Sequence, residues 1–396
     1  MKTKNTNQEE IILLRGESTQ PKKRKKGAGK VLILLAATVL LLGAIFFVLY
    51  QRNRTFDSFE VVNTYYFEEN GVMSYETYLD NVVRYSKDGI TYMNAKGEVV
   101  WSSSYQMKMP KVCVNKEYVA AADFNGNEVY LFDSEGLVKN FTTPYNICNV
   151  EVSAKGVVAV VLEADEENYI YLYDKTATEL VEIKTTIGKN GYPLDIALSE
   201  DGIKMVVSYI NTESMGINTN LAFYNFGSVG QNENSDRLVG AVKCGESLVP
   251  EVKFIDNDTV CAFMDDQIVV YDMKDKPGEK AKIEFNHEPR SVFANEKYIG
   301  MITELENQTG SYQLKVYNLE GKERFQTEID MEYIQIVAGE EELLLLGSNN
   351  LLVMDYRGNL KYQGELGFIA KGAVCSGKRY EYIILGENAN YQIRLK

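Results

Sequence analysis

Histidine is almost missing from this chain: His287 is the only one in 396 residues. That excludes a histidine-based catalytic triad or a histidine-cluster metal site. His287 itself sits in the polar stretch FNHEP and reads as a surface-loop residue. Tryptophan also occurs once, as Trp101, and seven prolines are too few for a proline-rich linker protein. The five cysteines (Cys113, Cys148, Cys244, Cys261 and Cys375) are odd in number and scattered, with no CxxC pair. They describe neither a disulfide framework nor a zinc site. We read them as free thiols, three of them on inner strands, with one disulfide as the alternative. No Walker loop, GxSxG elbow or HExxH pair is present. A pI near 4.9 argues against a body that grips nucleic acid. What remains, 45% hydrophobic and 25% charged residues, lies in the globular range.

Charge is missing altogether from 31–50, the run VLILLAATVLLLGAIFFVLY. Twenty residues at 1.5 Å rise span about 30 Å, one hydrocarbon core. The run divides the charge of the chain. Residues 1–30 hold nine Lys/Arg and three Glu, a net of +6. Taking those from the totals of 42 and 56 leaves 33 basic and 53 acidic groups beyond the run, a net of −20. Lys22, Lys23, Arg24, Lys25, Lys26 and Lys30 precede the run, and only Arg52 and Arg54 closely follow it. The positive-inside rule then places the N-terminus in the cytoplasm and the body outside. No small-x-small cleavage site follows, so the run reads as an uncleaved signal anchor. The expected organisation is a basic cytoplasmic tail (1–30), a transmembrane helix (31–50), a short linker (51–58) and an extracytoplasmic domain (59–396). Within the tail, Ile11-Ile12-Leu13-Leu14 is a short apolar cluster suited to a docking peptide or a helix start.

The body reads as β. Short alternating runs rich in Val, Ile, Tyr and Phe are punctuated by Gly, Asn and Asp. One signature repeats: an apolar-aromatic strand ending in Asp or Asn, a tight turn, then another strand. The Asp/Asn positions are 94, 133, 174, 225, 272, 318 and 355. Each begins a turn in which its side chain bonds the backbone two residues on. The spacing, 37 to 51 residues, matches one four-stranded propeller blade per repeat, the window of WD40 and kelch units. A second strand precedes each signature, as in 118–123 or 259–264, and a weaker one precedes that. After Asp355 the chain offers three strands, 368–376, 380–386 and 391–396, and no fourth. Before the first unit, 59–67 is a spare strand. Joining them closes the ring, because an unclosed last blade would leave a bare sheet edge. The fold class expected is all-β: a β-propeller of eight blades, with seven as the alternative, preceded by one transmembrane helix.

The D-x-x-G-x-hydrophobic turn resembles that of the quinoprotein-like, PQQ-repeat propellers, over about residues 57–396. The repeating tryptophan of those propellers is present only as Trp101; Phe141, Phe325 and Tyr362 stand in its place elsewhere. A quinone would need an aromatic platform, a bound cation and a base, so no cofactor is expected. The layout also resembles single-pass, membrane-anchored propeller families of Firmicutes, which implies an extracytoplasmic protein without an assigned activity.

If the strands of a blade run A to D from the axis outward, B–C and D–A loops share one face. The B–C loops 164–168, 211–220 and 304–311 read as long, and they fall there with the D–A loops 188–192 and 286–289. The other face carries tight turns, apart from 227–236. The short linker puts that tight-turn face toward the membrane and the long-loop face outward. Candidate partner-binding residues are Asn211, Glu213, Met215, Asn218, Glu304, Asn307 and Tyr312. The acidic stretches 123–126 and 256–258 are incomplete as calcium loops and read as hairpin turns. The expected function is a non-enzymatic binding or scaffold module of the cell envelope, engaging an extracytoplasmic protein or polymer. Two alternatives stand beside it. One is a carboxylate-based lyase or hydrolase working in the propeller channel; the other is a sensor that signals through the tail.

Overall fold

A computed structural model describes residues 28–66, 73–94, 96–165, 167–212, 216–233, 235–305 and 310–396. The chain divides into two units, the first ending at Arg54 and the second running from Thr55 to Lys396. In the first, helix α1 spans Ala28–Asn53; its described side chains, such as Ile33, Leu34, Leu40 and Phe46, are exposed and apolar. The side chains described on α1 are those of 33–47, 49–50 and 53. Among the described residues no helix is long and apolar enough to cross a membrane. Lys30 falls on α1, while Lys22, Lys23, Arg24, Lys25 and Lys26 lie outside the described residues.

The second unit is built as the repeat requires. Its strands form eight antiparallel sheets of four. Seven are consecutive in sequence, at 74–104, 110–142, 146–186, 192–245, 251–284, 291–330 and 335–365. The eighth joins Ala370–Cys375, Glu381–Gly386 and Ala389–Leu395 to Phe59–Tyr66 from the other end of the unit. Phe59 pairs with Leu395 and Tyr66 with Ala389, so the first strand is the outermost of the last blade. The eight-blade expectation holds.

The repeated Asp/Asn letters do what turn chemistry asks. Each of the seven accepts a backbone N–H from two residues on, from 2.8 Å at Asp133 to 3.2 Å at Asn318. The C–D pairing slips by one residue beside each of these turns, as at Tyr92/Met93 and Val353/Met354. In several blades a left-handed residue accompanies the bulge: Gly97 takes φ +73° and Gly358 φ +82°, while in blade 3 Ala177 accepts φ +65° without a glycine.

The core is not one cluster but eight, one at each junction between neighbouring blades. The single tryptophan lies in one of them, stacked on Phe132 at 5.0 Å between blades 1 and 2. The smallest joins blade 8 to blade 1 through Val82, Met93, Val374, Ile383 and Leu385. Burying these faces supplies the main stabilisation, at about 25 cal/mol per Å² of apolar surface.

The loop expectation needs one correction. The blade 3 B–C connection is not long: the strand Glu167–Tyr173 starts earlier than 168, and Ala164 donates its N–H to the Glu167 carbonyl at 2.9 Å. On the opposite face, 227–236 does carry an insertion, the short helix Ser228–Glu233. The stretch 256–258 is an A–B turn in which Asp256 accepts the N–H groups of Asp258 and Thr259, both at 2.7 Å. All five cysteines are free, and Cys113, Cys148 and Cys375 do lie on innermost strands.

Candidate functional site: the axial channel and its collar

The first strand of each blade lines the axis, and its inward side chains are polar through blades 2 to 5. They form a circuit from blade to blade. Lys111 Nζ donates to Asn149 Oδ1 at 2.7 Å, and Asn149 Nδ2 donates to Asp195 Oδ1 at 3.2 Å. The Val252 N–H donates to Asp195 Oδ2 at 2.9 Å, and Lys253 Nζ to the Ala294 carbonyl at 3.0 Å. Glu76, Glu151 and Glu251 complete the lining. Being surrounded by protein pushes the Glu151 carboxyl up to about 8, with the Asp195 charge adding to the effect. The same desolvation raises Asp195, Glu76 and Glu251, although Glu251 still touches solvent through the channel.

One end of the channel is narrowed by charge. Lys116, in the A–B turn of blade 2, reaches Glu200 of blade 4 at 2.5 Å and Glu296 of blade 6 at 3.9 Å. A single side chain thus links three A–B turns across the axis. At the other end, the D–A and B–C loops surround an opening on which Lys111, Glu251, Lys253 and Lys371 are exposed.

That open mouth has a collar. The residue immediately before the first strand is, from blade 1 to blade 8, Met73, Met109, Tyr145, Gly191, Pro250, Arg290, Ile334 and Ile369. Only Arg290 is charged. Met109, Ile334 and Ile369 are 54%, 52% and 60% exposed. Large apolar side chains at the inner rim, standing in water on a body of net charge −20, are the most unusual surface feature of the propeller. A wide recess beside the collar is lined by Tyr85, Lys87, Lys108, Met109, Lys111 and Phe124.

The candidate residues named from sequence fall on this face. Asn211 and Asn218 pair across the B–C hairpin of blade 4 and are half-buried; Glu213, Met215 and Asn307 lie outside the described residues. Glu304 and Tyr312 pair across the B–C hairpin of blade 6. Tyr312 is a correction: the whole residue is 1% exposed, and its hydroxyl donates to Glu332 Oε2 at 2.7 Å within the protein. Arg290, not singled out from sequence, centres this group. It donates to the Tyr312 hydroxyl at 2.5 Å, pairs with Glu304 at 3.3 Å, and lies 4.8 Å and 5.1 Å from the Tyr312 and Tyr333 ring centres. The blade 4 and blade 6 hairpins stand two blades apart and do not form one site.

No three His, Cys, Asp or Glu side chains converge to hold a metal among the described residues. Over residues 52–395 the sequence matches a family of unknown function, DUF5711. The chain belongs to that family. No curated protein matches the sequence of this DUF5711 member. Its fold recurs in solved structures. BamB from Moraxella catarrhalis aligns at 8% identity and TM-score 0.54, over 85% of this chain and all of that one. The computationally designed protein Ika8 aligns at 10% and 0.55, over 84% and 98%. Sqt1 from Chaetomium thermophilum, bound to the N-terminus of ribosomal protein L10, aligns at 10% and 0.52, over 82% and 92%. At such identities the likeness is one of fold alone.

Proposed function

We propose that this DUF5711 protein is a non-enzymatic binding module of the cell envelope, anchored by 31–50 with the propeller outside, which holds a protein or envelope polymer on its collar face. The collar carries the reading. Exposed Met109, Tyr145, Ile334 and Ile369 occupy one structural position in four blades, and Ile217 adds a fifth apolar side chain on the same face. Loops of the opposite face expose only Leu79 and Ile203 in this way, among the described residues. An apolar centre with a polar rim is how protein interfaces are built. A propeller that holds a polypeptide terminus, as Sqt1 does, offers a precedent for the fold.

Support for the anchor comes from the uncharged twenty-residue run and the six basic residues before it. Alkaline extraction and protease protection test it. The protein should stay in the membrane, with the propeller digested from outside and the tail protected. Release by alkali contradicts the anchor. Site-directed changes test the collar: Ile369→Asp with Met109→Asp should abolish co-purification of the partner from membranes and leave the melting temperature unchanged.

One observation favours a second reading, the carboxylate enzyme. Glu151, kept protonated to about 8 beside Asp195, is an acid placed against a base in a channel. Turnover of a glycan or lipid substrate that is lost in Glu151→Gln would replace the binding reading with this one.

A further inference from the structure

A separate cavity of ≈ 260 Å³ lies on the tight-turn face, where the A–B turns of blades 7, 8 and 1 meet. Asp80, Glu340, Glu341 and Glu342 line it, with Lys378 and Arg379 as the cations. The turns are pressed together. Gly377 sits at φ +68°, and a Cβ there would fall 2.2 Å from Asp80 Cγ.

At its inner wall is Glu342, 6% exposed. The Tyr382 hydroxyl donates to Glu342 Oε2, while Oε1 is buried without a hydrogen-bond partner. Its nearest cation is Arg379, whose Nε stands 3.6 Å away, beyond hydrogen-bond length. Arg379 is shared: its Nη2 pairs with Glu341 at 3.3 Å, and the guanidinium lies 4.8 Å from the Tyr380 ring centre. Lys378 reaches Glu381 at 3.7 Å, a carboxylate already gripped by Arg394 Nη2 at 2.6 Å. Asp80 and Glu340 have no ion-pair partner among the described residues. The cavity therefore holds more carboxylates than cations, and a buried acceptor is left unmet. A buried polar atom in that state is costly unless something satisfies it.

What is missing is a cation with hydrogen-bond donors. A metal ion does not suit, because no three ligating side chains converge there. The volume is also many times the share of one water molecule, about 30 Å³. We propose that this cavity binds a primary ammonium group, from a lysine side chain of a partner polypeptide or from a free polyamine, with Glu342 Oε1 as its acceptor. An ammonium brings three donors and no acceptor, so one donor can meet Glu342 Oε1 while its charge offsets the surplus carboxylates. Arg379, on this account, is a resident competitor that partly neutralises the site while it is empty. The site is on the face opposite the collar, so it stands or falls independently of the collar.

The test is calorimetric titration of the full chain in detergent micelles. The probes are acetyl-lysine methylamide, acetyl-norleucine methylamide, which has the same stem without the amine, and spermidine. We expect saturable one-to-one binding of the lysine amide or of spermidine, and none of the norleucine amide. Binding by the lysine amide alone assigns a polypeptide source, by spermidine alone a polyamine; either supports the site. Glu342→Gln should weaken binding about tenfold or more, as loss of a charged acceptor implies. Arg379→Gln, at a half-exposed residue that keeps the fold, should tighten it several-fold. A purely structural role for Glu342 gives no such gain. The proposal is overturned if neither ammonium probe saturates, if the norleucine amide binds equally, or if Arg379→Gln leaves affinity unchanged or lower.

Discussion

Closure of the ring rests on a short piece of chain that a boundary drawn at the first strand would discard. Phe56 precedes Phe59–Tyr66, yet its ring is 6% exposed and packs 4.7 Å from Tyr380 in the cluster between blades 7 and 8. Its N–H donates to the Lys361 carbonyl at 2.8 Å, a bond to the outer strand of blade 7. Replacing it by alanine leaves that bond intact and empties the ring site. A Phe→Ala change in a core costs about 3–5 kcal/mol. Unfolding entropy of about 2.1 cal/mol/K per residue, over the roughly 340 residues from Thr55 to Lys396, converts this to a fall in melting temperature of about 4–7 °C. Two probes read it together. Far-ultraviolet circular dichroism follows the sheets, and fluorescence of Trp101 reports the distant junction of blades 1 and 2. Leu360→Ala serves as control: that side chain is 43% exposed, so its loss should stay within about 0.5 kcal/mol, under about 1 °C. If Phe56→Ala melts with the parent, the segment before the first strand is no part of the closure, and the packing argument is wrong. If dichroism falls early and Trp101 does not, the ring opens at blade 8 before it unfolds.

Glu151 should make stability depend on pH in a direction opposite to that of a paired carboxylate. Its folded carboxyl holds its proton to about 8, against an ordinary 4.5, so between those values the folded state binds more protons and stability falls as pH rises. Glu151→Gln should gain on the parent across that window in urea titrations; a constant difference contradicts the assignment. The thiols should be nearly inert in the folded protein, since burial pushes Cys244 up to about 11 and Cys261 and Cys375 up to about 12. Unfolding without reductant should expose five alkylation sites by mass, and fewer would mean a disulfide. Gly377→Ala combines a left-handed backbone with a collision against Asp80, whereas Gly367→Ala, at φ +77°, meets nothing within 4 Å. The second should lose about 1–2 kcal/mol and the first clearly more; equal losses would show that Asp80 is free to move.

The blades were legible because turn chemistry is local. An Asp or Asn at seven recurring positions predicts a hydrogen bond two residues on, and the structure has all seven. Closure was legible for a different reason: three strands after the last complete blade and one before the first leave a sheet edge that only pairing can remove. The blade 3 loop differs from expectation because Glu167 is polar and reads as loop, although its side chain accepts the Tyr169 hydroxyl at 2.7 Å from within a strand. Tyr312 differs from expectation because a tyrosine next to a loop can bury its ring and use its hydroxyl on its neighbours, here Arg290 and Glu332. The collar is readable in the sequence once the blades are known: the residues before the eight first strands are Met, Met, Tyr, Gly, Pro, Arg, Ile and Ile. The Glu342 cavity was not readable, since it needs three turns to meet that are separated by up to 300 residues. The same is true of Lys116, Glu200 and Glu296 across the axis.

Site-specific photocrosslinking in native membranes tests the central claim most directly. The photoreactive residue is placed in the intact protein at Met109 or Ile369 on the collar, and at Ile203 or Lys155 on the opposite face, away from the Glu342 cavity. A single discrete adduct is expected from both collar positions and none from Ile203 or Lys155. Adducts confined to the opposite face, or none from any position, would contradict it.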